Sequence, residues 1–356
     1  MQEDVPAPAG SPVPPPVAPS VKSGARPVAR ARTGLRGGRI PETGALLVVL
    51  AVLFIFFSVT SKFFLGVDNL VNILQNVAVI GIIACPATVL LISGQFDLSV
   101  GSMAGFVGMI MAVAAAPVGV TKTPYAMGLP LEVALVLAIV GALAVGLINA
   151  FAVTTLRISA LITTLGTLAI FRGLTKVLGN GQTIRIENFG QFGVARILGL
   201  PLPVYVFIAI IIVFFLILKY TVYGRSMYAI GASPTAARLA GIRTNRAIFG
   251  GFMLSAICVA IAGLIRLSQV GGASTNAGQG FELSVVTAVV LGGASLSGGR
   301  GGIPGTIIAV LIVGILGNGL IQLNVPSFWI EVANGVLLLA AVAFDQLRIR
   351  LTKSIA

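Results

Sequence analysis

The 356-residue chain is 57% hydrophobic and only 9% charged, with a mean hydropathy of +1.04, and a soluble fold of this length could not hide so much apolar surface. It has no His, which excludes histidine-based acid/base, nucleophilic and metal chemistry; Cys85 and Cys258 lie inside apolar runs and read as small buried residues rather than a disulfide or metal pair. The formal charge of +13 sits in the head and at the ends of apolar runs, a pattern of membrane orientation and not of a nucleic-acid partner.

Residues 1–41 carry Lys22, Arg26, Arg30, Arg32, Arg36 and Arg39 among many prolines, and are expected to form a disordered cytoplasmic tail, either solvated or touching acidic headgroups. Met1 to Arg39 has no apolar core, so no secretory signal is expected. Ten apolar spans then follow at roughly 44–60, 76–93, 98–116, 131–153, 159–178, 203–220, 248–267, 283–297, 304–321 and 329–345. The runs are continuous rather than alternating. The fold class is therefore all-α: a polytopic membrane protein of about ten transmembrane helices, not a barrel. The membrane domain is expected over 42–347, with a short cytoplasmic tail at 348–356.

An even number of spans puts both termini on one side. Taking that side as cytoplasmic leaves 16 of the 23 basic residues inside. The spans entered by Phe96-Asp97-Leu98-Ser99-Val100 and Phe281-Glu282-Leu283-Ser284-Val285 are five spans apart, which points to an inverted repeat with a pathway between its halves.

Between the sixth and seventh spans lies a polar island, 221–247, with Arg225, Arg238, Arg243 and Arg246 and no acid. It encodes a short helix. Ser233 suits the N-cap, Pro234 the first position, Thr235 to Ala240 the body, and Gly241 the stop. On the residues alone this is either a helix that a cytoplasmic partner pushes or a solvated loop that only orients the chain.

The acids Asp68, Asp97, Glu132, Glu187, Glu282, Glu331 and Asp345, with Glu3, Asp4 and Glu42, all fall at or beyond the ends of these spans, so no mid-membrane ion relay is expected. No phosphate-binding loop of the Gly-x-x-x-x-Gly-Lys-Ser/Thr kind is present. The chain thus reads as a pathway whose engine is either absent or a separate protein. Asp97 and Glu282 are expected on opposite sides of the membrane, each capping its own span; a direct gating role is the alternative. Ser99, Ser297, Asn149, Asn318 and Gln322 are pathway or gating candidates, and for the three amides interhelical hydrogen bonding is the competing reading. Trp329 reads as an interfacial anchor over a sugar-stacking ring.

Four blocks carry a resemblance. Gly94-Gln95-Phe96-Asp97-Leu98-Ser99-Val100-Gly101-Ser102 resembles the Gly-Gly-Ile-Asp-Leu-Ser-Val-Gly-Ser signature of ribose/xylose/arabinose-type ABC sugar permeases. Leu165 to Gly173 with Asn180-Gly181-Gln182, the loop Gly224-Arg225 through Ile242, and Ala288 to Gly301 resemble the same family, over about residues 45–345. The resemblance implies a cobalamin-importer-like fold and a non-enzymatic permease for a monosaccharide or polyol. It also implies a second permease copy, two cytoplasmic ATPase subunits that bind the ATP, an extracytoplasmic sugar-binding protein, and a bacterial inner-membrane location. No cofactor is expected in this chain. Arg225, Pro234, Ala236, Ala237, Arg238, Leu239 and Gly241 would face the ATPase. Two departures stand out: Gln95 replaces Gly or Glu, and Ser233-Pro234-Thr235 replaces Asn-Glu-Glu, removing two acids from the docking helix.

Overall fold

The computed structural model describes residues 42–119, 121–186 and 189–353; the basic head, Glu187 and the last three residues lie outside them. In chain order the elements are α1 (Glu42–Thr60), α2 (Val67–Ile92), α3 (Val100–Ala115), α4 (Leu131–Thr154), α5 (Ala160–Leu178), β1 (Ile184–Arg185), α6 (Gln191–Val194), β2 (Arg196–Ile197) and β3 (Leu200–Pro201). They continue with α7 (Leu202–Tyr220), α8 (Val222–Ala232), α9 (Pro234–Leu239), α10 (Thr244–Val270), β4 (Gly272–Ala273), α11 (Phe281–Leu291), α12 (Ile303–Gln322) and α13 (Phe328–Lys353).

Among the described residues, seven helices (α1, α2, α4, α5, α7, α10 and α12) are long and apolar enough to cross a membrane, and α3, α11 and the Phe328–Ala343 part of α13 are shorter apolar helices. They match the ten expected spans one for one. The boundaries differ where polar or glycine residues mislead. α2 begins at Val67 and not at 76, because Asn69, Asn72, Gln75 and Asn76 look like loop while Asn69 is in fact buried and hydrogen-bonded to α12. α11 stops at Leu291 and not at 297, because Gly292 crosses the backbone of Gly305 and Thr306 with no room for a Cβ. α13 runs through Lys353, so residues 348–353, expected as tail, continue a helix.

The packing follows membrane rules, in which small residues let backbones approach. α10 lies at the centre, against α2, α3 and α4. Gly263 meets the backbone of Ala104 on α3, and Gly146 of α4 meets Ala256. Large apolar side chains point outward instead, including Val52 and Ile55 on α1, Val136 and Val140 on α4, Ile162 and Ile170 on α5, and Ile212 and Leu216 on α7. That is the surface a lipid bilayer covers.

The faint repeat is visible as architecture. A long helix, a non-helical stretch and a short helix recur as α2–α3 and as α10–α11. The helix starts differ by one turn: Phe96 precedes α3 by four residues, whereas its counterpart Phe281 opens α11. Two small antiparallel ladders, β1 with β4 and β2 with β3, gather near the C-terminal end of α10, the end away from α9.

The polar island contains two helices, not one. α8 was hidden in the sequence by its mixed composition. Thr221 caps it by accepting from the Gly224 N–H at 3.1 Å, and Gly224, Met227 and Ile230 face inward at three-residue spacing.

Candidate functional site

Two constellations stand out, one at the basic loop between α7 and α10 and one inside the bundle.

The first is α9 and what it touches. Ser233 accepts from the Ala236 N–H at 3.3 Å, Pro234 occupies the first helical position, and Gly241 (φ 82°) ends the helix in the left-handed region that glycine tolerates. Arg225, Pro234, Ala236, Arg238, Leu239 and Gly241 are exposed, and Leu239 is 86% so. Leu239 and Arg238 are adjacent on this exposed helix. Ala237 differs from expectation: it is buried at 3% exposure against the chain's own core, so it holds α9 in place and does not face outward.

Just before α9, Gly231 is wedged against two other backbones. A Cβ there would meet the carbonyl of Ile92, the last residue of α2, and the N–H of Gly299 in the glycine-rich turn after α11. Gly299 N–H donates to the Ile92 carbonyl at 2.8 Å, and Tyr228 O–H of α8 donates to the Gly301 carbonyl at 2.8 Å. Burial raises the Tyr228 pKa above its ordinary value, so the phenol keeps the proton it donates. Ser297 lies exposed in this same turn. The Gly299 bond ties the end of α2 to the turn after α11, the Tyr228 bond ties that turn to α8, and Gly231 packs against both.

The second constellation surrounds Asp97. Its Oδ1 accepts from the Ser99 N–H (3.1 Å) and Ser99 Oγ (2.6 Å), and its Oδ2 from Ser255 Oγ of α10 (2.9 Å). Asn149 Nδ2 of α4 donates to Ser99 Oγ at 2.8 Å, and Thr167 of α5 donates to Asn149 Oδ1 at 2.8 Å. All five residues are buried. Donors run from Thr167 through Asn149 and Ser99 to the carboxylate, tying α3, α4, α5 and α10 together. Asp97 is in neither the Arg172–Glu282 nor the Arg196–Asp68 ion pair.

The depth of this cluster corrects the sequence reading. Ser255 is the twelfth residue of the 27-residue α10, about 16 Å along a helix of about 40 Å. Asp97 is therefore buried near mid-bundle, although its place between two helices resembles a span end. It also caps less directly than expected, since its backbone bond goes to Ser99, the residue before α3.

Glu282 is not across the membrane from Asp97. Its Oε2 lies against Gly101 in the first turn of α3, four residues from Asp97. Four residues of chain span at most about 14 Å, too little for a ~30 Å hydrocarbon core. Glu282 Oε1 accepts from the Gly280 N–H at 3.4 Å, a true helix-start bond, and pairs with Arg172 of α5 at 3.6 Å.

Asn318 and Gln322 go elsewhere. Asn318 exchanges two bonds with Asn69 (2.9 and 3.1 Å), and Gln322 donates to Asn69 Oδ1 at 2.6 Å, joining α12 to α2. This is the interhelical reading. Of the seven pathway candidates the structure brings three together: Asp97, Ser99 and Asn149. Sequence reasoning missed Thr167, Ser255 and Arg172. A hydroxyl in mid-span is a weak signal, but Ser255 and Thr167 are the kind of residue that carries it.

A ten-helix bundle with small-residue packing, a central polar latch and an exposed capped helix on a basic loop defines a polytopic membrane permease. The family model described as "Branched-chain amino acid transport system / permease component" matches residues 69–342, and the chain belongs to that family of transport permeases, which are not enzymes. Among curated relatives, the ribose import permease protein RbsC of Escherichia coli (strain K12) is 37% identical over 309 residues, 84% of this chain and 92% of that protein. The L-arabinose transport system permease protein AraH of the same organism is 36% identical over 311 residues, covering 87% of this chain and 92% of its own length. RbsC of Bacillus subtilis (strain 168) is 37% identical over 301 residues, 83% of this chain and 90% of that protein. No solved structure matches.

Proposed function

We propose that this chain is the membrane-spanning subunit of an ATP-driven importer for a monosaccharide, of the pentose or related polyol class. The observation that carries this reading is the likeness to ribose and arabinose permeases along more than four-fifths of the chain. The four motif blocks fall in elements that fit it: the Asp97 cluster, α5, the α8–α9 unit and the turn after α11.

In this reading two copies of the permease pair in the bacterial inner membrane. Both termini and residues 221–247 face the cytoplasm, where the basic residues concentrate. Two ATPase subunits bind the ATP and receive Leu239 and Arg238 of α9, while an extracytoplasmic binding protein delivers the sugar at the opposite end. Closure of the ATPases pushes α9. The α8–α9 unit is stiff, and it meets Ile92 of one repeat and Gly299 of the other through backbone contacts that have no slack. One push therefore moves both halves, which is what opening a pathway between repeats requires.

The test is reconstitution of the permease with its ATPase and binding protein in liposomes. Uptake of labelled D-ribose or L-arabinose is expected only with all three proteins and ATP. Uptake by the permease alone, following an imposed ion gradient, would instead define a secondary transporter or channel.

A further inference from the structure

A cavity of about 290 Å³ opens beside the C-terminal part of α10, at the end of the bundle away from α9. Its walls come from α3, α10 and the loop that leads into α11. Arg266 lines it, with Asn276, Gln279 and Phe281 around the loop and Gly108 and Gly263 on the facing helices.

Three observations give it the character of a site. The first is the unspent donor capacity of Arg266. A guanidinium has five N–H donors and no acceptor. Among the described residues the one hydrogen bond of the Arg266 side chain runs from Nη1 to Gln269 Oε1 at 3.5 Å, the outer limit of reach, and neither ion pair includes it. Arg266 is partly buried about 6 Å from the C-terminal end of α10, where a long basic side chain reaches the aqueous side and can meet a solute that arrives there.

The second observation is the kind of glycine at position 108. Gly263 is required by packing, because a Cβ there would press on the Ala104 backbone. Gly108 is not: a Cβ would meet Leu267 at an ordinary 3.7 Å. A Cβ here would rest in ordinary contact with α10, so the glycine is not forced by a clash, and it keeps a full side chain out of the wall that α3 and α10 present to the cavity.

The third is the mixture of chemistry. The Asn276 and Gln279 amides both donate and accept, and Phe281 supplies an aromatic wall. Paired donors, two amides and a ring face match a molecule with vicinal hydroxyls on one side and C–H groups on the other. The volume sits at the lower edge of the ~300–1,000 Å³ typical of small-molecule pockets, enough for one sugar ring.

We infer that this cavity is an entry site for a single neutral monosaccharide, held through its hydroxyls by Arg266. The inference rests on the sugar-import reading above and deepens it. The loop that carries the amides is anchored from behind, because Glu282, next to Phe281, is paired with Arg172 of α5, and Arg172 Nη1 also donates to the Ala277 carbonyl at 3.3 Å. A sugar seated here would therefore be sensed by α3, α5, α10 and α11 together.

The experiment is saturation-transfer NMR with D-ribose, L-arabinose and D-xylose on the full-length permease in lipid nanodiscs, without binding protein or ATPase. The wild type is expected to show transfer to at least one of the three. Arg266→Gln is expected to weaken binding about tenfold or more, the loss that follows removal of charge-assisted hydrogen bonds. Gly108→Leu, which adds a large side chain at a glycine that lines the cavity, is expected to abolish transfer. Gln279→Ala changes an exposed loop residue and leaves the helices untouched, so it reports on the site even if a helix variant fails to fold; a several-fold weakening is expected. Absence of transfer in the wild type, or full transfer in folded Arg266→Gln and Gln279→Ala, overturns the assignment. Uptake by the whole reconstituted importer separates the two claims. Uptake with no transfer to the permease removes the cavity site and leaves sugar import standing, whereas transfer without any uptake removes the import reading.

Discussion

Asp97→Ala is expected to destabilise the protein by about 2–4 kcal/mol and to abolish most uptake. The substitution leaves the Ser99 N–H, Ser99 Oγ and Ser255 Oγ without their shared acceptor in a dry interior, and each stranded buried donor costs about 1–3 kcal/mol. The serine hydroxyls can turn to other acceptors, so the amide and the vacated volume carry most of the loss. Asp97→Asn keeps one acceptor oxygen, and its amide N–H groups can donate to hydroxyls that accept as well as donate. It is expected to recover at least half of the lost stability. Thermal unfolding in detergent, read beside uptake, checks both. Asp97→Ala unfolding at the parent temperature with normal uptake would show that the cluster does not hold α3, α4, α5 and α10 together. An Asn variant as stable as the parent but inactive would assign the charge itself to translocation.

The second large effect is expected at Gly231. A valine there would be driven into the Ile92 carbonyl and the Gly299 amide, backbone groups that cannot rotate away. Relief requires either that α8 withdraw from α2 and from the turn after α11, or that the added side chain prise the Gly299 N–H from the Ile92 carbonyl and break their 2.8 Å bond. Overpacking costs about 1–3 kcal/mol, and the lost buried bond adds about 1 kcal/mol. The functional consequence is expected to exceed the loss of stability, because the contact joins α9 to both repeats. Gly231→Val should hydrolyse ATP at a near-basal rate that the sugar-loaded binding protein no longer stimulates. Gly250→Ala, where the nearest atom to a Cβ is 3.6 Å away, serves as the control and should behave as the parent. A Gly231→Val importer with full stimulation and uptake would show that force does not pass through this contact.

The helices were legible because apolar runs of span length have one physical outcome in a chain this hydrophobic. α9 was equally legible, since Ser233, Pro234 and Gly241 each act within a turn of their own position. What escaped were features set by distant partners. Asn69 looked like loop because its amide partners lie 249 and 253 residues away on α12. Asp97 looked superficial because it follows a helix end, while its depth depends on Ser255, 158 residues on. The direction in which Ala237 faces depends on the core beneath α9, which no local pattern encodes. Helix existence is written locally; burial of a polar group is written in the tertiary fold.

In the proposed importer, α9 is the place where a separate ATPase drives this chain. Leu239→Cys, in a background with the buried Cys85 and Cys258 replaced by alanine, places one reactive thiol at the most exposed apolar position of that helix. Cross-linking of that thiol to an ATPase lysine with a short maleimide–NHS-ester reagent in inverted membrane vesicles is the direct measurement. A permease–ATPase adduct through Leu239→Cys, with its yield changed by ATP, is the predicted result. No adduct from an assembled importer that still takes up sugar would contradict it.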